Sequence, residues 1–205
     1  MKSSVSETLH SPIAWLCFLG TFALGLFADL SVKSWSETAL KYQMPKVLLP
    51  HLIRLEYTEN QGAVFGLGQG QRPLFLIVSV AAIAFLFYLF ATSGKMRFYQ
   101  VILGMLMAGV LGNMYDRVVF AHVRDMIHGL PGVYWPTWFV NLMPASWRPD
   151  FGGRLEVFPW IFNIADSLLC VGVFFMIIYS FLSERQRKQV VEQGSSNEPV
   201  TDQSR

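Results

Sequence analysis

Charge is scarce in this chain, and unevenly so. Lys, Arg, Asp and Glu make up 15% of the 205 residues and 53% are hydrophobic, where an ordinary soluble domain carries about a quarter charged residues. The deficit gathers in four runs, residues 12–30, 74–91, 99–115 and 161–182, each close to the ~20 residues that cross a bilayer core. Net charge is only +2, and no Lys/Arg block is interleaved with aromatics, which argues against a nucleic-acid partner. There are two cysteines, Cys17 and Cys170, each inside an apolar run. They exclude a disulfide framework and a cysteine metal site, and read as small buried hydrophobes. No H-E-x-x-H and no G-x-S-x-G occurs, which disfavours a zinc protease and a serine hydrolase. Gly66-Leu67-Gly68-Gln69-Gly70 lacks the strand–helix setting of a phosphate loop.

What is there reads as a mainly α membrane protein with four spans. The first run is too long for a signal-peptide core and no A-x-A site follows it, so a retained helix is expected. In the third, Gly104, Ala108 and Gly112 form a small-xxx-small stripe suited to close helix packing. Lys95 and Arg97 lie between the second and third runs, and Arg185, Arg187 and Lys188 follow the fourth. By the positive-inside rule both positions are cytoplasmic, and so are both termini. Lys33, Lys41, Lys46, Arg54 and Arg72 weigh the other way, diluted over a long connection and offset by Glu37, Glu56 and Glu59. Residues 1–188 are read as one integral-membrane domain and 189–205 as a disordered cytoplasmic tail.

The two long connections are not bare linkers. Ile53, Leu55 and Tyr57 alternate with polar residues and predict a strand. Asn60-Gln61-Gly62 then predicts a turn, with an apolar run from Ala63 to Leu67 beyond it. A small β-sheet on the outer membrane–water interface is expected. Residues 129–160 hold Tyr134, Trp135, Trp138, Trp147 and Trp160 among five prolines. That composition predicts an irregular aromatic loop lying at headgroup level.

Against this background some polar residues stand out. Asn163, Asp166 and Ser167 head the fourth run, with i, i+3, i+4 spacing that puts them on one helix face. Asp166 has no basic neighbour in sequence, and an ionisable group at the edge of a lipid-buried helix is read as functional. Asn113, Asp116 and Arg117 repeat the arrangement at the end of the third run, and Asp29 and Lys33 form an i, i+4 pair at the end of the first. Asp29–Lys33 and Asp116–Arg117 also read as interfacial ion pairs, and Asn113 and Asn163 as caps or interhelical links. His122, Asp125 and His128 share a three-residue spacing that more often is not a metal site. Two aspartates brought together from different segments can activate water without a metal.

Five motifs together resemble the lipoprotein signal peptidase (signal peptidase II) family, the aspartic peptidases of bacterial membranes. They are Asp29-x-x-x-Lys33, Asn60-Gln61-Gly62-Ala63-Val64-Phe65, Gly112-Asn113-Met114-Tyr115-Asp116-Arg117, Val123-Arg124-Asp125-Met126-Ile127 and Phe162-Asn163-Ile164-Ala165-Asp166-Ser167. They occur in the family's order across residues 12–182. The resemblance implies a catalytic dyad of Asp125 and Asp166, with Asp29, Lys33, Asn60, Asn113, Asp116, Arg117 and Asn163 supporting the dyad or binding substrate. It implies cleavage of prolipoproteins just before a diacylglyceryl cysteine, at the outer face of the cytoplasmic (inner) membrane, in contact with membrane lipid, by a monomer needing no metal or cofactor. The chain departs from the family's usual pattern in its long stretch between Asp125 and Asn163, and in Arg124 and His128, where apolar residues are usual. The rival reading is a small proton-coupled carrier with Asp166 as its proton site. Carriers usually hold such acids near the midplane between repeated halves, and no internal repeat is seen here.

Overall fold

A computed structural model of the chain describes residues 2–62, 70–143 and 154–196. Its elements in chain order are α1 (Lys2–Leu9), α2 (Pro12–Leu40), β1 (Lys46–Leu49), β2 (Ile53–Asn60), α3 (Arg72–Ala91), α4 (Arg97–Val119), β3 (Val123–Gly129), α5 (Thr137–Val140), β4 (Ile161–Phe162) and α6 (Ile164–Ser196). α2, α3, α4 and α6 are each long and apolar enough to cross a membrane. The fold is the expected one, four spans and a small sheet.

Local chemistry sets several helix ends. Pro12 follows Ser11, whose Oγ accepts from the Ala14 amide, so α2 starts on a side-chain cap with proline at its first position. α2 then runs to Leu40, well past residue 30. Asp29, Lys33, Ser36 and Leu40 are all buried, at a spacing that keeps one face of the helix inward. Hydropathy ends the helix early because that inward face is polar.

α4 is the central helix, packed against α2, α3 and α6. Phe18 of α2 stacks on Phe90 of α3 at 4.3 Å beside Ile102, Leu103 and Leu106 of α4. The small-residue stripe permits this approach: a Cβ on Gly104 would meet the Phe18 carbonyl, and one on Gly112 would strike Asp29 Oδ2. Gly112→Ala is therefore expected to cost about 1–3 kcal/mol, the range of overpacking, and to outweigh the gain in helix propensity. A lower thermal midpoint in detergent checks this. Cys170 is exposed, which corrects the buried reading. On a lipid-facing helix an apolar neighbourhood in sequence does not mean burial inside the protein.

The sheet has the order β1-β2-β3-β4, all antiparallel, with the buried β3 inside. β2 pairs with β3 as Leu55↔Ile127 and then Thr58↔Asp125, a bulge of one extra residue on β2. Bulges bend a strand and re-aim side chains, often beside active sites. β4 pairs with β3 as Ile127↔Phe162 and His128↔Ile161, so residues 161 and 162 are strand and the fourth helix starts at Ile164 rather than 161.

α1 was not predicted. It ties to the α3–α4 turn, where Thr8 Oγ1 accepts from the Gly94 amide at 2.7 Å and Glu7 pairs with Lys95 at 3.1 Å. α6 continues to Ser196, which corrects the tail boundary at residue 189. The run after Leu182 is rich in Glu, Arg, Gln and Lys, all strong helix formers. In the long aromatic connection, α5 and a Tyr134↔Glu156 bridge are formed. The apolar run from Ala63 to Leu67, Trp147 and residues 197–205 lie outside the described residues.

Candidate active site

The N-terminus of α6 organises the site. Asn163 is the residue before the helix, not a member of its face as the i, i+3, i+4 reading had it. Its Oδ1 accepts from the Asp166 amide at 2.9 Å, and Asp166 Oδ2 accepts from the Asn163 amide at 3.3 Å. This is the reciprocal logic of a capping box. It sets Asp166 on the first turn, where the positive end of the helix dipole favours an anion. A third free amide, Ala165, donates to Asp29 Oδ1 of α2 at 2.8 Å.

The side chain of Asn163 reaches the other way. Its Nδ2 donates to Asp125 Oδ1 at 2.6 Å and to Asn113 Oδ1 at 3.1 Å. Asn113 Nδ2 in turn donates to Asp166 Oδ1 at 2.8 Å, and Asn60 Nδ2 donates to Asp125 Oδ2 at 3.0 Å. Asn163 thus binds both acids, Asp125 on β3 through its side chain and Asp166 on α6 through its backbone amide, and Asn113 holds Asp166. Asp125 is 1% exposed. Burial, reinforced by the Asp166 carboxylate, pushes its carboxyl up to about 7, against the opposing pull of the Asn60 and Asn163 hydrogen bonds.

Beneath the amides lies a buried ion network. Lys33 Nζ is 2.8 Å from Asp29 Oδ2 and 3.4 Å from Asp116 Oδ2, and donates to Asn113 Oδ1 at 3.0 Å. Asp116 accepts from Arg124 Nη2 at 2.7 Å and from the Arg124 backbone amide at 2.9 Å. Arg124 also meets Glu37 at 2.9 Å and lies over the Phe120 ring. The Asp29–Lys33 pair is as predicted, but it is fully buried, not interfacial. The Asp116–Arg117 pairing is corrected: neighbours in sequence point about 100° apart on a helix, and the partner of Asp116 is Arg124. Arg117 instead donates to the Gly62 carbonyl at 2.9 Å and to the Asn113 carbonyl at 3.4 Å, and covers the Phe75 ring.

The predicted site residues therefore form one connected cluster drawn from α2, β2, α4, β3 and α6. Two participants were not anticipated, Arg124 and Glu37. The signal for Arg124 was its position as a cation in an otherwise apolar motif; Glu37 carried none. The histidines lie elsewhere. His128 sits between Glu56 at 2.7 Å and Glu156 at 3.2 Å, on opposite ring nitrogens, and His122 lies 3.8 Å from Glu59.

A cavity of about 210 Å³ opens onto the cluster, lined by Asn60, Asn113, Arg117 and Asp166 at its polar end and by Val78, Ala82, Val110 and Leu169 along its apolar wall. Asp166 faces this cavity, and Asp125 lies behind it. The arrangement joins a carboxyl pair, a row of amide donors and an apolar trough from three spans. It suits hydrolysis of an extended peptide whose flanking segment stays in lipid.

The chain is similar to known proteins in family and in fold. The profile of the family described as Signal peptidase (SPase) II matches residues 21–182. A lipoprotein signal peptidase of Lactobacillus johnsonii is 30% identical over 79% of this chain and 90% of its own length. One from Streptococcus pyogenes serotype M2 is 30% identical over 78% of this chain and 90% of its own length. A solved structure of a bacterial membrane enzyme superposes with a TM-score of 0.62 at 26% identity, over 91% of this chain and 93% of that one. A second superposes with a TM-score of 0.59 at 28% identity, over 78% and 90%. The matched region runs from the apolar part of α2 to the end of the α6 span and takes in every residue of the cluster, so this chain belongs to the signal peptidase II family.

Proposed function

We propose that the chain is an aspartic endopeptidase that removes signal peptides from diacylglyceryl-modified prolipoproteins by cleaving before the lipidated cysteine, with Asp125 and Asp166 as its dyad. The observation that carries this reading is the clamp built on Asn163: its side chain donates to Asp125 and its backbone amide to Asp166, with Asn113 donating to Asp166 as well, at the mouth of a cavity that continues into the apolar span region. Asp116 does not compete for the role, because Arg124 and Lys33 occupy its carboxylate. A proton-coupled carrier is not favoured, since the family is one of peptidases.

Two carboxyls joined through one asparagine, with the charge of one opposing ionisation of the other, share one proton. Asp125, screened from water, holds it. Asp166, facing the cavity, takes a proton from water as the oxygen attacks the scissile carbonyl. Asp125 hydrogen-bonds the carbonyl oxygen, and the leaving nitrogen receives the proton as the C–N bond breaks. Arg117, Asn60 and Asn113 hold the peptide and the dyad. The enzyme acts as a monomer in the cytoplasmic membrane, with the dyad at the outer leaflet, both termini cytoplasmic, and the diacylglyceryl tails left in membrane lipid. The test is incubation of purified protein with a synthetic lipidated precursor, with and without EDTA. Cleavage before the lipidated cysteine in both samples is expected, and no cleavage of any precursor would overturn the proposal.

The pH dependence has a definite sign. Protonated Asp125 is the working form, and its carboxyl titrates at about 7. kcat is therefore expected to fall as pH rises through about 7, as the shared proton is lost. Asn60→Ala removes a hydrogen bond that favours ionised Asp125, so the alkaline limb should move to higher pH. A limb that stays in place or moves down would contradict the assignment.

A further inference from the structure

His128 and the long aromatic connection take no part in the dyad, and they meet. His128 is 3% exposed and lies on β3 opposite Arg54 of β2 and Ile161 of β4. Its Nδ1 is 2.7 Å from both Arg54 Nη2 and Glu56 Oε1. Its Nε2 is 3.2 Å from the Phe158 carbonyl and 3.2 Å from Glu156 Oε2. A carbonyl and an ionised carboxylate only accept, so Nε2 carries a proton. Nδ1 faces one donor and one acceptor, so the neutral ring and the cation both fit. The groups that face the ring are thus Arg54 and Glu56 from β2, and Glu156 and the Phe158 carbonyl from the connection.

Glu156 sits at the base of that connection. The Trp135 amide donates to the Leu155 carbonyl at 2.9 Å and the Val157 amide to the Val133 carbonyl at 2.8 Å. The Gly132 amide donates to Glu156 Oε1 at 3.0 Å. These bonds close a short antiparallel stem around the Tyr134↔Glu156 bridge, and His128 fastens the stem to the sheet. Next in the chain, Phe158 meets Phe162 edge-on at 5.9 Å and packs over Gly129, where a Cβ would lie 3.4 Å from its ring. β4 follows, and then Asn163, whose side chain holds Asp125 and whose amide holds Asp166. β4 is two residues long, shorter than an ordinary strand of about 5–6 residues, and two pairs are a weak anchor for that asparagine. We propose that His128 is a positioning residue for the reaction: by gripping Glu156 and Phe158 it fixes the segment that delivers Asn163 to the dyad. This rests on the function proposed above and adds to it. His128, Glu56 and Glu156 do not line the trough, so the effect falls on kcat and not on substrate binding.

The experiment measures kcat, KM and the alkaline limb of kcat with the purified full chain and a synthetic lipidated precursor. His128→Leu is expected to lower kcat about 10- to 100-fold, the scale of a remote misplacement of about 1 Å, with KM within about twofold of wild type. The Asn163 hydrogen bond favours ionised Asp125, so loosening it should move the alkaline limb to higher pH. A smaller folded fraction would instead scale the rate at every pH and leave the limb in place. Glutamine carries an N–H donor and an oxygen that accepts from Arg54, so His128→Gln should bring kcat back to within about threefold of wild type and restore the limb. Glu156→Ala should resemble His128→Leu, and combining the two should add little. Unchanged kcat in His128→Leu, a fall that leaves the limb in place, no recovery with His128→Gln, or full additivity with Glu156→Ala would overturn the positioning role while leaving the peptidase reading intact. Failure of the wild type to cleave any precursor would overturn both.

Discussion

Asp125→Asn and Asp166→Asn are each expected to lower kcat for a lipidated precursor by about 10⁴-fold or more, the scale on which a catalytic unit fails when one member is lost. The loss should be chemical, not structural. Asp125 accepts two side-chain amide hydrogen bonds, from Asn60 and Asn163, and Asp166 accepts one from Asn113 and one from the Asn163 backbone. An asparagine keeps one acceptor oxygen, so each variant forfeits one such bond, about 1 kcal/mol. Both variants should therefore insert, purify and unfold near the wild-type temperature while leaving the precursor uncut. Turnover within tenfold of wild type for either would remove the dyad. Glu7→Gln, a carboxylate at the opposite end paired with Lys95, serves as the control and should cleave normally.

Lys33→Met is expected to destabilise the fold by about 3–5 kcal/mol, the cost of removing one partner from a buried ion pair. Lys33 and Arg124 balance Asp29 and Asp116, and all four are buried. Without the ammonium, Asp29 loses its counter-charge and Asp116 keeps Arg124. Asn113 Oδ1 also loses one of its two donors, Lys33 at 3.0 Å, keeping Asn163, which loosens the amide that positions Asp166. Stability and kcat should thus fall together. A large drop in the unfolding midpoint in detergent is the expected reading, and an unchanged midpoint would show that the network contributes little to the fold.

These two outcomes separate what Asp116 and Asp125 do, a distinction local sequence could not make. Both are aspartates close after the third apolar run, and each has an arginine beside it in sequence, Arg117 and Arg124. The i, i+4 pair of Asp29 and Lys33 was legible, because a helix brings such residues together whatever else the chain does. The reciprocal cap of Asn163 and Asp166 was half legible: its three-residue spacing was seen, but it was assigned to a helix face. The helix starts at Ile164 because residues 161 and 162 pair with β3, and that pairing is a long-range event.

The sequence by itself determined the class of protein. Four nearly uncharged runs of membrane length, each with a helical solution to its backbone hydrogen bonds, leave few alternatives in lipid, and five motifs in order identify the family. Only the tertiary structure decided which charges meet. Arg124 reaches Asp116, Lys33 reaches across to Asp116 and Asn113, and Asn163 joins Asp125 to Asp166. These contacts depend on helix packing angles, on a bulge in β2 and on strand register, none of which is encoded in local spacing.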